Sequence, residues 1–221
     1  MGLRDSMQTD MLIAAMAQDR QVPQAADLRR AALAWTLLAL AAVAALSLVA
    51  MGLRPRLGWA MTNPPTMTKA LLPLLVAMVA LPAAVARARP EAAVPGPARW
   101  LLATLGLTAA IGLGLSLAVI PAAAWLKTAL GHSALFCFVA IPLMSLPMLA
   151  ALIGALARGG ASTAPAVSGA LAGLAAGGLA GAVYSLHCIE DAPLFFLVWY
   201  SLGVLVTAGL GALAGRRWLS W

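Results

Sequence analysis

Six apolar runs of about 20 residues, separated by short connections rich in proline, organise this chain. A helix needs about 20 consecutive apolar residues to cross a bilayer, and the runs at 31–53, 68–86, 100–120, 135–156, 167–186 and 194–214 meet that length. Their connections carry Pro55, Pro64 and Pro65, then Pro90, Pro95 and Pro97, and later Pro121, Pro165 and Pro193. Prolines at such places stop helices. The third run is the least sharply bounded, because its last turn leads through Pro121 into 122–126. The pattern predicts an all-α polytopic membrane protein with six transmembrane helices.

Composition agrees. Hydrophobic residues make up 63% and charged residues 10% of the chain, and the mean hydropathy is +0.95. A soluble domain is about half apolar and a quarter charged, so the solvent here is lipid. Residues up to Arg30 are polar and charged, unlike a cleaved signal peptide with its early apolar region.

Orientation follows from Lys and Arg, which concentrate on the cytoplasmic side. With the N-terminus inside, Arg4, Arg20, Arg29, Arg30, Arg87, Arg89, Arg99, Arg158, Arg216 and Arg217 lie inside, against Arg54, Arg56, Lys69 and Lys127 outside. The bias puts both termini in the cytoplasm. It divides the chain into a cytoplasmic partner-binding segment (1–30), a six-helix transmembrane domain (31–217) and a short cytoplasmic tail (218–221). The net charge of +7 is then mostly a topology signal. No basic patch interleaved with aromatics argues for direct nucleic-acid binding.

Ahead of the first run, "MQTDMLIAAMAQD" predicts a short helix. Thr9 or Asp10 can cap its exposed amides, and Leu12, Ile13 and Met16 share one face. A helix this short is marginal alone in water, so it needs either the lipid headgroups or a partner's groove. Its acids Asp5, Asp10 and Asp19 and its few basic residues suit an anionic membrane surface poorly.

Within the spans, Gly169, Gly173, Gly177 and Gly181 recur every four residues. Small residues at this spacing let helix backbones touch, whether the neighbour lies in the same chain or in a second copy. No span carries an acid or base in its central turns, where ion-coupled carriers keep them. Phosphate loops, nucleophile elbows, zinc motifs and paired carboxylates are all missing from the sequence, so it describes no enzyme. A small-solute or metal-ion transporter is the rival reading and requires a polar path through the bundle.

The candidate chemistry gathers outside. Cys137 falls at the outer end of the fourth span and Cys188 at that of the fifth, and the chain has no other cysteine. His132, His187, Glu190 and Asp191 lie close to them in sequence. Two thiols on one face pass reversibly into a disulfide, or transiently hold a soft or borderline metal ion with imidazole support. No resident cofactor is required. Set against this, a single cysteine near a helix end is most often a small buried hydrophobe, and a permanent structural disulfide is a further rival.

Four segments, "TDMLIAAMAQD", the "LRP" of Leu53, Arg54 and Pro55, "IPLMSLP" and above all "YSLHCIEDAPLFFLVWYSLG", resemble the NrsF-type anti-sigma factors. The resemblance runs from Thr9 to Arg217, and the motif around Cys188 is its most specific part. It implies a six-span bacterial inner-membrane protein that holds an extracytoplasmic-function sigma factor inactive. It further implies that Cys137 and Cys188 sense chromate, cadmium and related oxidative stress, and that the N-terminal segment, with Thr9, Asp10, Leu12, Ile13 and Met16, binds the sigma factor. Homo-oligomers are compatible with all of this.

Overall fold

The computed structural model describes residues 11–15, 25–89 and 96–220, and among these it is all-helical. The helices are α1 (Ala25–Ala50), α2 (Leu57–Ala60), α3 (Pro64–Arg87), α4 (Gly96–Val119), α5 (Ala122–Leu130), α6 (Ala134–Gly159), α7 (Pro165–Ser185) and α8 (Pro193–Trp218). Six of them, all except α2 and α5, are long and apolar enough to cross a membrane. They coincide with the six apolar runs. Each is longer than its run, because the polar flanks continue the helix: α1 takes in Asp27, Arg29 and Arg30 ahead of its apolar stretch.

Proline punctuates as expected. It occupies the first turn of α3, α7 and α8, where its fixed φ suits the helix and its missing N–H costs nothing. At Pro121 the backbone is extended (φ −56°, ψ 139°). The third run therefore stops at Val119, and α5 is a separate short helix, not a continuation. Pro73 and Pro82 lie inside α3 and Pro142 and Pro147 inside α6. Near the last two, Ser145 donates to the carbonyl of Pro142 at 2.6 Å and meets Thr207 of α8 at 3.1 Å.

α7 is the centre of the bundle, packed between α8 and α3, with α6 across α8 and α1 along α6. α4 leans on α3 and α8 and has no buried residue. The glycine repeat explains the centre. A methyl group added at Gly169 or Gly173 would run into the backbone carbonyl of Gly211 or Thr207 on α8, and Gly211 and Gly215 face α7 in the same way. The seam is thus an intramolecular helix contact. Gly181 does not belong to it: an added carbon there would sit 3.2 Å from the ring of Pro73, as Gly178 also turns to α3.

α1 and α6 run antiparallel. Leu28, near the start of α1, packs where Gly159 ends α6, while Arg54, just past α1, bonds to residues 186–191 beside the start of α6. α8 ends beside the start of α7, at Gly215 and Pro165. The start of α1 and the end of α8 therefore lie at the end of the bundle remote from Cys188.

A candidate thiol site at one end of the bundle

Cys137 belongs to the first turn of α6, its N–H donating to the carbonyl of Ser133 at 2.9 Å. Cys188 stands just beyond α7, where the N–H groups of His187 and Cys188 both reach back to the carbonyl of Tyr184, at 3.0 and 3.1 Å. This wrap folds the chain back over the end of α7 before Pro193 starts α8. It brings the two sulfurs to 3.9 Å, unbonded to each other. Both residues are buried. The Tyr184 hydroxyl lies 3.1 Å from the Cys137 sulfur and the Ser133 hydroxyl 3.6 Å. Tyr200 stacks at a tilt on Tyr184, ring centres 5.8 Å apart.

A charged clamp closes the other side of Cys188. The fully buried Lys69 ammonium donates to the carbonyl of Cys188 at 2.8 Å, the carbonyl of Glu190 at 3.0 Å and Asp191 Oδ1 at 2.7 Å. Three N–H donors meet three acceptors. Arg54 forks onto both Asp191 oxygens, at 2.8 and 2.7 Å, and donates to the Cys188 carbonyl at 3.2 Å. Burial pushes the Asp191 carboxyl up, but the hydrogen bonds and charges of Arg54 and Lys69 outweigh it and hold the group down at about 2. The hydrogen bond with Asp191 likewise raises Arg54. At Cys188 the hydrogen bond from Cys137, helped by the charge of Lys69, overcomes burial and draws the thiol down to about 6. That direction favours the thiolate, the form that reacts.

The residues expected to support the thiols do not converge on them. His132 is almost fully exposed and pairs with Glu190: its backbone N–H donates to Glu190 Oε1 at 2.9 Å, and its Nδ1 lies 3.1 Å from the same oxygen. His187 Nδ1 donates to the carbonyl of Gly52 at 3.2 Å. Asp191 belongs to the clamp. Among the described residues no group of three or more His, Cys, Asp and Glu is placed to hold a metal ion. The sequence pattern brings the right residues to one end of the bundle, but their side chains have other partners.

Sequence reasoning assigned no site role to Lys69, counted only as an orientation charge, to Arg54, which entered as an orientation charge and within the "LRP" motif, or to Tyr184, the first residue of the motif around Cys188. The available signal was the lysine of "PPTMTKALLP", the second residue of the apolar run at 68–86. Trp199 packs against Phe138, while its indole N–H donates to the carbonyl of Ala129 at 2.6 Å and ties α8 to α5. In the N-terminal segment, residues 11–15 are helical, and Leu12 and Ile13 are exposed. Thr9, Asp10 and Met16 lie outside the described residues.

Fold and site together define a polytopic helical membrane protein with a thiol pair clamped at one end. Residues 16–221 match the family described as "NrsF: Negative regulator of sigma F", and the chain belongs to that family. It is similar to the anti-sigma-F factor NrsF of Caulobacter vibrioides, 37% identical over 97% of this chain and all of the relative. A segment covering 38% of this chain and 39% of the relative is 40% identical to a probable anti-sigma-F factor NrsF of Azospira oryzae. No solved structure matches. The family's role is regulatory, not catalytic.

Proposed function

We propose that this chain is a bacterial inner-membrane anti-sigma factor that holds an extracytoplasmic-function sigma factor at the cytoplasmic face and releases it when its thiol pair reacts. Membership in the NrsF family supports the anti-sigma part. The observation that carries the sensor is the 3.9 Å between the Cys137 and Cys188 sulfurs. A disulfide needs about 2.05 Å, so a small movement makes the bond. With hydrogen peroxide as oxidant the two thiols give up two electrons and two protons, the S–S bond forms, and the peroxide is reduced to two waters. A thiophilic cation bridging both sulfurs is the second chemistry open to the pair. Two thiolates fall short of the four ligands of a closed zinc site, which suits transient capture.

The N-terminal segment contacts the sigma factor, with Leu12 and Ile13 as apolar anchors. Their exposure on a short helix leaves an apolar face for a partner groove. Transport is less well supported. A cavity of about 420 Å³ between α3, α4 and α8 is lined mostly by apolar side chains such as Leu72, Val76, Leu105 and Leu113, with Thr68, Lys69, Tyr200 and Ser201 as its polar members, a sparse polar set for a solute or ion path.

Co-purification from the native host tests the proposal. The full chain retains a sigma factor, and a chain lacking residues 1–20 retains none. Peroxide releases the sigma factor from the parent, whereas Cys137→Ser and Cys188→Ser hold it throughout. Failure of the full chain to retain any soluble partner overturns the reading.

A further inference from the structure

We propose that Arg54 is a positioning residue that latches the Cys188 loop to α1, and that α1 carries the thiol reaction to the opposite end of the bundle. The inference rests on the sensor reading above and supplies the route by which the sensor acts.

The loop carrying Cys188 is bonded to one helix end more extensively than a turn requires. The Arg54 N–H donates to the carbonyl of Leu186 at 3.0 Å. The Arg54 guanidinium takes the Cys188 carbonyl and both oxygens of Asp191, and His187 takes the carbonyl of Gly52. Gly52 and Arg54 follow α1 directly, because Met51 and Gly52 continue its bonding pattern onto Ser47 and Leu48. Every residue of the loop from Leu186 to Cys188 therefore contacts the two positions that extend α1. The helix that carries Cys137, α6, packs along α1. α1 is thus in contact with both elements that carry the thiols.

The packing also decides which helix can respond. α7 is held by backbone contact on two sides, through Gly169 and Gly173 on α8 and through Gly178 on α3. Shifting it means unpicking both seams, and close-packed interfaces do not deform gradually. Lys69, the other grip on the loop, stands on α3, which shares one of those seams. α1 fully buries only a narrow stripe, Leu28, Ala32, Thr36 and Val43, flanked by half-buried Ala39, Leu40 and Ala44, and is exposed over much of the remainder. When the sulfurs close by about 2 Å to bonding distance, the loop moves relative to Arg54 and Lys69. Arg54, just past the end of the more exposed helix α1, follows it. The far end of α1 is the end to which the N-terminal segment is joined, so a displacement of α1 bears directly on the surface proposed to hold the partner. Rigid secondary elements are one of the physical carriers of coupling between distant sites, and α1 is one element spanning the whole distance.

The test uses the full chain in membranes with its retained sigma factor. R54Q and the parent are treated with hydrogen peroxide, and two quantities are read separately: the Cys137–Cys188 disulfide by mass spectrometry after alkylation, and the sigma factor retained. In R54Q the disulfide is expected to form as in the parent and retention at rest to be unchanged, while release falls tenfold or more. Release equal to the parent's, with the disulfide formed, overturns the latch. So does loss of the sigma factor from R54Q at rest, because the contact then maintains the bound state instead of transmitting. If R54Q does not accumulate, R54K, which keeps the charge but lacks the two-pronged fork, is read by the same outcomes. Failure of the sensor reading itself looks different: the parent then forms no disulfide, or the double Cys137→Ser, Cys188→Ser variant releases normally.

Discussion

At the scale of single residues, the instructive one is Lys69. A lysine in an apolar run near a helix end is ordinarily read as a side chain reaching for the interface, and hydropathy offers no reason to read it otherwise. Here its side chain is 0% exposed and holds three acceptors on one loop. Cys137 and Cys188 were legible as a pair because topology alone put both at one end. Their clamp was not legible, since it depends on Lys69, Arg54 and Asp191 meeting from three separate stretches of chain. Asp191 is the counterion common to both cations, and removing it leaves a buried lysine without its partner charge. Asp191→Asn should therefore destabilise the purified protein by about 3 kcal/mol, the low end for breaking a buried ion pair because Asp191 keeps a third of its surface. The pH dependence has a defined sign. The Asp191 carboxyl sits at about 2 in the folded chain against about 3.9 for an unfolded aspartate. Its contribution is complete above about pH 4 and is lost as pH falls towards 2. Thermal unfolding in detergent from pH 7 to pH 2.5 should show this acid loss in the parent and a flatter profile in Asp191→Asn; the same slope in both assigns the loss to other groups.

At the scale of elements, period and length carried the reading, and identity of partner did not. All six spans could be read from runs of about 20 apolar residues, because a helix satisfies its whole backbone within one segment in lipid and the strands of a barrel, the other solution, are only about ten residues long. The recurrence of Gly169, Gly173 and Gly177 showed that some helix comes close, but a repeat fixes a face and not its neighbour. The neighbour is α8, whose own glycines at 211 and 215 complete the seam. Gly181 keeps the repeat yet faces α3, since a straight helix rotates slowly away from a strict four-residue stripe. α5 was hidden because Pro121 interrupts an otherwise continuous apolar stretch. The seam makes a test with an internal control. A side chain at Gly211 meets the backbone of Gly169 and Gly173, whereas nothing lies within 4 Å of one at Gly209, two residues earlier on the same helix. Gly211→Val should cost about 3 kcal/mol as an overpacked site, and Gly209→Val should stay within a few tenths. Thermal midpoints of the two variants check this; equal midpoints mean that α7 and α8 are not in backbone contact.

At the scale of the whole molecule, the proposed function puts a reaction at one end and a partner at the other, and the two then share one free-energy balance. Coupling between two binding equilibria is reciprocal. If forming the Cys137–Cys188 disulfide weakens the hold on the sigma factor by some factor, then a bound sigma factor must disfavour the disulfide by the same factor. It stabilises the dithiol state, so the midpoint potential of the pair becomes more positive. For a two-electron couple the shift is about 30 mV for each tenfold change in affinity. Moving a population from 99% held to 99% released takes a factor of about 10⁴, and so about 120 mV; a hundredfold weakening gives about 60 mV. The sign needs no knowledge of the route, while the route through Arg54 predicts where the coupling disappears. Redox titration of the full-length protein in glutathione buffers, with and without its sigma factor, should show the positive shift in the parent and little or none in R54Q. Equal midpoints in the parent would mean that the thiols and the partner act independently, leaving the pair a local structural feature of one end of the bundle.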